Sequence, residues 1–267
     1  MANIFIGTSG YSYKDWVGIF YPRGIRPSEY LAYYARYFSF TELNFSYYRQ
    51  PETKAVENMV NQTPENFRFS IKGHKTLTHE RTGDLKTEAE HFQEGIRPLQ
   101  ESGKLTAVLL QFPYSFHYTQ DNRNYLGNLC DCCKNLPLAL EFRNKEWQKP
   151  SVYNELRNRN MIYVIVDMPI LNNLPVPEVA STSETGYIRF HGRNSKNWWN
   201  GTSTTRYDYL YSKNELFEWI EKLSFLIKET KILLIAFNNH YKGKAVENAL
   251  DLKKLLIQKN YSVGSGK

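Results

Sequence analysis

The stretch Leu138-Ala139-Leu140-Glu141-Phe142-Arg143 has the length and apolar content of a buried strand, yet it carries a carboxylate and a guanidinium. Side chains alternate faces along a strand, so Glu141 and Arg143 share one face while Leu140 and Phe142 share the other. The same device recurs. Glu42, Asn44 and Ser46 stand opposite Leu43 and Phe45, Ser70, Lys72 and His74 opposite Phe69 and Ile71, and Arg189 and His191 opposite Ile188 and Phe190. A buried charge without a partner costs roughly several kcal/mol. Four such strands therefore predict one shared polar cavity, lined by these groups and backed by an apolar layer.

Which fold brings strand ends together is decided by the order of elements. Strand signals fall at Asn3–Ser9, Phe40–Ser46, Phe67–Gly73, Leu105–Phe112, Leu138–Arg143, Ile162–Asp167, Tyr187–Gly192 and Ile232–Asn239. Between them lie helical periods. One begins at Ser28, an N-cap residue. Others cover Glu52–Asn61, Leu85–Glu101 (interrupted near Gly95 and Pro98), Asn122–Asn135, Ser151–Asn158, Glu215–Lys228 and Lys244–Gln258. Pro169, Pro175 and Pro177 break any helical period after the sixth strand, so the sixth helix is expected to be missing or irregular. Arg193–Ser212 reads as a long loop without helix or strand period.

About eight strands alternating with helices over about 260 residues match a single α/β (β/α)8 TIM-type barrel. An open doubly wound sheet is the rival. The barrel is preferred because charges at its strand ends point into a common mouth, where barrel enzymes carry their chemistry. One barrel domain is expected over residues 1–260, followed by a flexible tail over 261–267.

The chain has 267 residues, a formal net charge of +7 and 41% hydrophobic residues. Its basicity fits an anionic ligand or nucleic acid, and equally a charged, soluble surface. The segment from Met1 runs straight into a strand without a signal-peptide pattern, and the longest apolar run, Ile232 to Phe237, is far short of a membrane span. A cytoplasmic protein with no membrane partner is expected. Cys130, Cys132 and Cys133 are too close together for a disulfide framework and have no second ligand pair at zinc-site spacing.

Seven motifs in order add to this reading. They are Gly7-Thr8-Ser9-Gly10-Tyr11-Ser12-Tyr13, Glu42 to Pro51, Lys72 with Thr78-His79, Gln111-Phe112-Pro113, Glu141-Phe142-Arg143 with Trp147, Tyr187 to Gly192, and Phe237-Asn238-Asn239. On these the chain resembles the YecE-like family, catalogued as domain of unknown function 72, over nearly its full length. The resemblance implies a TIM-type barrel and supplies no reaction. Tyr11, Ser46-Tyr47 and His240 depart from the residues frequent in that family, and His240 stands where an aspartate is frequent.

Glu141, Glu42, His191 and Asp167 are the acid–base candidates, since such groups work from partly dry sites that tune their pKa. Arg143, Arg189, Lys72 and Arg49 would hold a phosphate or carboxylate. Asn44, Gln111, Asn238 and Asn239 would orient it, although parity lets only one of the last two face inward. Trp198 and its aromatic neighbours in the 193–212 loop would cover the site or stack on substrate. The turn Gly7–Gly10 would offer backbone N–H groups.

The expected activity is a hydrolase or lyase acting on a small anionic substrate, with no dinucleotide fingerprint to favour redox chemistry. A protein binding or processing single-stranded nucleic acid is the alternative. A glycoside-acting or metal-dependent barrel hydrolase is a further variant. No HxH, HxxE or HExxH spacing lies on any strand, so no metal ligands and no cofactor are assigned.

Overall fold

A computed structural model describes residues 2–264 and 266. The expected rhythm is present as β1 (Asn3–Ser9), α1 (Tyr30–Tyr34), β2 (Phe40–Leu43), α2 (Phe45–Tyr48), α3 (Thr53–Asn61), β3 (Arg68–Lys72), α4 (Leu85–Glu101), β4 (Leu105–Phe112), α5 (Gln120–Cys132) and β5 (Leu138–Phe142). There follow α6 (Pro150–Asn158), β6 (Ile162–Asp167), β7 (Thr185–Phe190), α7 (Ser203–Arg206), α8 (Lys213–Glu229), β8 (Ile232–Phe237) and α9 (Lys244–Gln258). The strands close into a barrel in sequence order, with β8 beside β1 and every neighbour parallel. The fold is a TIM-type barrel. Among the described residues no helix stands between β6 and β7, where the three prolines fall.

Strand parity sorts the core into two layers. Phe40, Leu109, Ala139, Val164, Tyr187 and Leu234 fill the barrel interior. Their neighbours along each strand, such as Leu43, Leu110, Leu140, Ile165, Ile188 and Leu233, pack outward against the helices. The interior is therefore solid. Polar side chains that continue the inner face, including Glu42, Lys72, Gln111, Glu141 and Arg189, lie above it at the C-terminal strand ends.

Several boundaries differ from the sequence expectation. β2 stops at Leu43, and Asn44 and Ser46 belong to the helical turn α2 and its cap instead of a strand. The Ser46 hydroxyl donates to the Lys72 carbonyl at 2.5 Å and so fastens that turn to the end of β3. The helix expected from Ser28 is a 3-10 turn, Pro27–Glu29, running into the short α1.

α4 is not interrupted. Pro98 has no N–H for the Glu94 carbonyl, which instead accepts from the Thr53 hydroxyl of α3 at 3.3 Å. Gly95 lies where α4 touches the chain before α3, and a Cβ there would stand 2.0 Å from the Pro51 carbonyl oxygen. Both residues serve helix packing.

The 193–212 loop contains the four-residue helix α7, capped by the Thr202 hydroxyl. At the C-terminus, the described part of the expected tail is tied down: Val263 bridges to Ile4 and Gly264 N–H donates to the Ile4 carbonyl at 2.8 Å. Met1, Ser265 and Lys267 lie outside the described residues. No helix among the described residues is long and apolar enough to cross a membrane.

Candidate active site at the barrel mouth

Four charges from three strand ends form one buried ladder. Arg189 is joined to Glu42 through Nε (2.7 Å) and Nη2 (2.6 Å), and to Glu141 through Nη1 (2.5 Å). Arg143 Nε donates to the other oxygen of Glu141. The Tyr187 hydroxyl donates to Glu42 at 2.5 Å and lies 2.7 Å from Ser70 Oγ. Both carboxylates are wholly inaccessible to solvent. Burial pushes the Glu141 carboxyl up, but Arg143 and Arg189 outweigh it and hold it well below the ordinary carboxylate range. Two carboxylates and two guanidiniums cancel, so the ladder is electrically neutral at its floor.

Arg143 is the rung that reaches the mouth. Only its Nε is bonded, its side chain keeps 11% of its exposure, and its guanidinium lies 5.8 Å from the Trp198 ring centroid. Trp198 is itself buried and stands near His191 and Tyr207. The 193–212 loop thus folds down over the ladder, as the sequence allowed.

His191 is buried beside this arrangement. Its Nδ1 accepts from Asn238 Nδ2 at 3.0 Å, which puts the ring proton on Nε2. Nε2 stands 3.3 Å from Glu141 but makes no aligned hydrogen bond. Burial, with Arg143 beside it, pushes His191 down to about 3, so the ring is neutral at ordinary pH.

Lys72, at the end of β3, has a different environment from the arginines. Its Nζ donates to Gln111 at 2.8 Å and lies 4.1 Å over the Tyr47 ring, with no carboxylate of the described residues within ion-pair distance. Burial, reinforced by Arg189 and Arg143, pushes the amine down to about 7. Tyr47 also packs edge-on against His79, which lies on the π-helical turn Thr76–Glu80. Burial, Lys72 and Arg143 push His79 down to about 4. Single π turns recur at functional sites.

A family model described as "Protein of unknown function DUF72" matches residues 5–266. The chain belongs to this family. UPF0759 protein YunF of Bacillus subtilis (strain 168) is 30% identical to it, over 95% of this chain and 94% of that protein. The crystal structure of a DUF72 family protein from Thermotoga maritima MSB8 superimposes with a TM-score of 0.88 at 39% identity, over 96% of this chain and 99% of the other. One from Enterococcus faecalis V583 gives 0.87 at 30% identity, over 99% and 98% respectively.

Three predicted site residues of this DUF72 barrel stand apart from the mouth. Asp167 points outward from β6, where its carboxylate accepts from Trp219 Nε1 (2.8 Å), the Tyr211 hydroxyl (2.7 Å) and Arg193 Nη2 (2.7 Å). It anchors α8 to the barrel and is corrected from acid–base candidate to structural anchor. Asn239 also faces outward, with Nδ2 donating to the Tyr209 carbonyl and Asn248 Oδ1, so Asn238 is the asparagine on the inner side. Arg49 follows α2 on the exposed surface, joined to no ladder residue. Asn44 stays close to the site, and its buried Oδ1 is unpartnered, as is Ser9 Oγ next to Glu42 in the β1–β2 register.

Sequence reasoning put Ser70 on the polar face but passed over Tyr187 and Tyr47 as participants. Period-two parity already put Tyr187 on the face of Arg189, but an aromatic in a strand reads as core. Tyr47 carried no signal, because its meeting with Lys72 depends on the turn α2. Among the described residues no three His, Cys, Asp or Glu side chains gather as a metal-ligating group.

Proposed function

We propose that this protein is an enzyme that binds a small carboxylate- or phosphate-bearing substrate in the barrel mouth and acts on it by lyase or hydrolase chemistry. The observation that carries the reading is Arg143, held by Glu141 through Nε while neither Nη nitrogen has a hydrogen-bond partner among the described residues. A guanidinium fixed in this way presents its fork to an anion with little further loss of freedom. Every titratable neighbour fits the same polarity. Glu42 and Glu141 are consumed by the ladder, and His79 and His191 are neutral. The Nη nitrogens of Arg143 and the amine of Lys72 are the donors that face the mouth away from those carboxylates, a setting that suits an anionic substrate.

Acid–base work then falls to Lys72, whose amine exchanges protons near neutral pH. Glu42 and Glu141 act as supports that orient Arg143, and not as the proton carriers their residue types suggested. Trp198 closes the site against water.

The test is thermal stabilisation by a panel of small phosphates and carboxylates. A ligand at ten times its Kd contributes about 1.4 kcal/mol and raises Tm by roughly 2–4 °C per kcal/mol in a chain of this size. At least one panel member is expected to stabilise the wild type and to lose that effect in Arg143→Met. A panel without effect, or one whose effect survives Arg143→Met, overturns the reading.

A further inference from the structure

We propose that Lys72 is a covalent catalytic residue: its Nζ forms an imine with the carbonyl carbon of a 2-oxo acid whose carboxylate is held by Arg143. The proposal rests on the anion-binding reading of Arg143 and adds to it the substrate class and the bond that forms.

The geometry narrows the choice of nucleophile to this amine. Ser46 and Ser70 are hydrogen-bonded elsewhere, and Tyr187 is bound to Glu42. Ser9 is wholly buried. The thiols of Cys130 and Cys133 are buried on the outer layer of the barrel, far from this face. Both carboxylates are enclosed in the ladder. Among the described residues Lys72 Nζ has one hydrogen-bond partner, Gln111, with the Tyr47 ring beside it.

A lysine used as a salt-bridge partner or as a fixed positive charge has a carboxylate beside it. Among the described residues Lys72 has none within 4 Å; Glu42 and Glu141 in the mouth are bound to the arginines. An amine beside guanidiniums and away from water is the setting in which lysine becomes a nucleophile. The resulting population of free base near neutral pH agrees with that setting.

In the step itself the Nζ lone pair attacks the carbonyl carbon and a C–N bond forms. The carbonyl π pair moves to oxygen, which takes up two protons, one relayed from the attacking nitrogen and one from solvent, and leaves as water. The product is an iminium that retains one N–H. Its new positive charge would be repelled by Arg143 and Arg189, and the substrate carboxylate seated on Arg143 offsets that repulsion. An iminium withdraws electrons from the adjacent carbon, so the proposal selects the lyase branch over hydrolysis.

Reductive trapping tests it. The full-length protein is incubated with pyruvate or glyoxylate and sodium borohydride, then analysed by intact-mass and peptide mass spectrometry. One reduced adduct per chain is expected, mapped to Lys72 and absent in Lys72→Arg. Site mapping in the wild type decides the matter even if that variant folds poorly. Arg143→Met is expected to weaken trapping of pyruvate by about tenfold or more, the loss of a charge-assisted contact. It is expected to weaken trapping of uncharged propanal on Lys72 far less, since only the amine's basicity and not a carboxylate contact is then at stake. Oxo acids that stabilise the protein through Arg143 but yield no adduct on Lys72 overturn the imine and leave the anion site standing. Propanal trapped on Lys72 with no advantage for pyruvate supports the amine's reactivity and overturns the anion site. Labelling spread over surface lysines overturns the imine as well.

Discussion

At Arg189 one guanidinium joins β2 to β5 across the barrel, and each of its nitrogens is committed to a carboxylate. Removing one partner from such a buried set leaves a charge uncompensated, which costs about 3–5 kcal/mol. Glu42→Gln is therefore expected to lower the denaturant-unfolding free energy by about 3 kcal/mol or more, by weakening the bidentate pair while nearly keeping the volume. A variant as stable as wild type would show the ladder to be energetically idle. Lys72 carries the opposite effect. Its amine titrates near 7 in the folded chain and near its ordinary value of 10.5 when unfolded. Between those values the unfolded chain binds the extra proton, so folding stability rises with pH across this window. From about pH 7 to about pH 9 the wild type is expected to gain roughly 1–2 kcal/mol from this group, discounted for its partial exposure. Lys72→Met is expected to flatten that part of a urea-midpoint profile, and an unchanged slope would mean that Lys72 is an ordinary solvated lysine.

Among the elements, α4 tests packing against propensity. Ala is the better helix former by roughly 0.5–1 kcal/mol, so an isolated helix would gain from Gly95→Ala. Here the added methyl would meet the Pro51 carbonyl oxygen at 2.0 Å. Overpacking of this kind costs roughly 1–3 kcal/mol, and the variant is expected to unfold at a lower denaturant midpoint than wild type. An equal or higher midpoint would place the cause of the glycine elsewhere. The same helix explains why sequence reading misjudged it. Pro98 removes a donor, and the Thr53 hydroxyl that takes over its acceptor lies on another helix, beyond any local window. β6 has the expected bounds, but the side on which Asp167 falls was misread for a related reason. Both faces of Ile162–Asp167 are apolar up to the aspartate, so no contrast assigned Asp167 a side, and Trp219 and Tyr211, which decide it, come from the region of α8.

Across the whole molecule, the eightfold alternation and the meeting of Glu42, Glu141, Arg143 and Arg189 were legible because both follow from periods of two and 3.6 residues. Who pairs with whom was not. Lys72 and Arg143 look alike in the sequence, and only the folded barrel gives one a carboxylate and leaves the other without. The basic surface and the exposed Trp199 and Tyr48 belong to the same scale, and the charges assigned a partner here lie mainly inside the mouth or in surface ion pairs. The span of the ladder has a consequence for how such a chain can be assembled. Cut between β4 and β5, the first piece keeps Glu42 and Lys72 while the second keeps Glu141, Arg143 and Arg189. Neither fragment is electrostatically self-sufficient, and each would expose an unmatched ion at its open edge. The two halves of this barrel are thus obligate companions, completed only when the last-made strands reach back to the first.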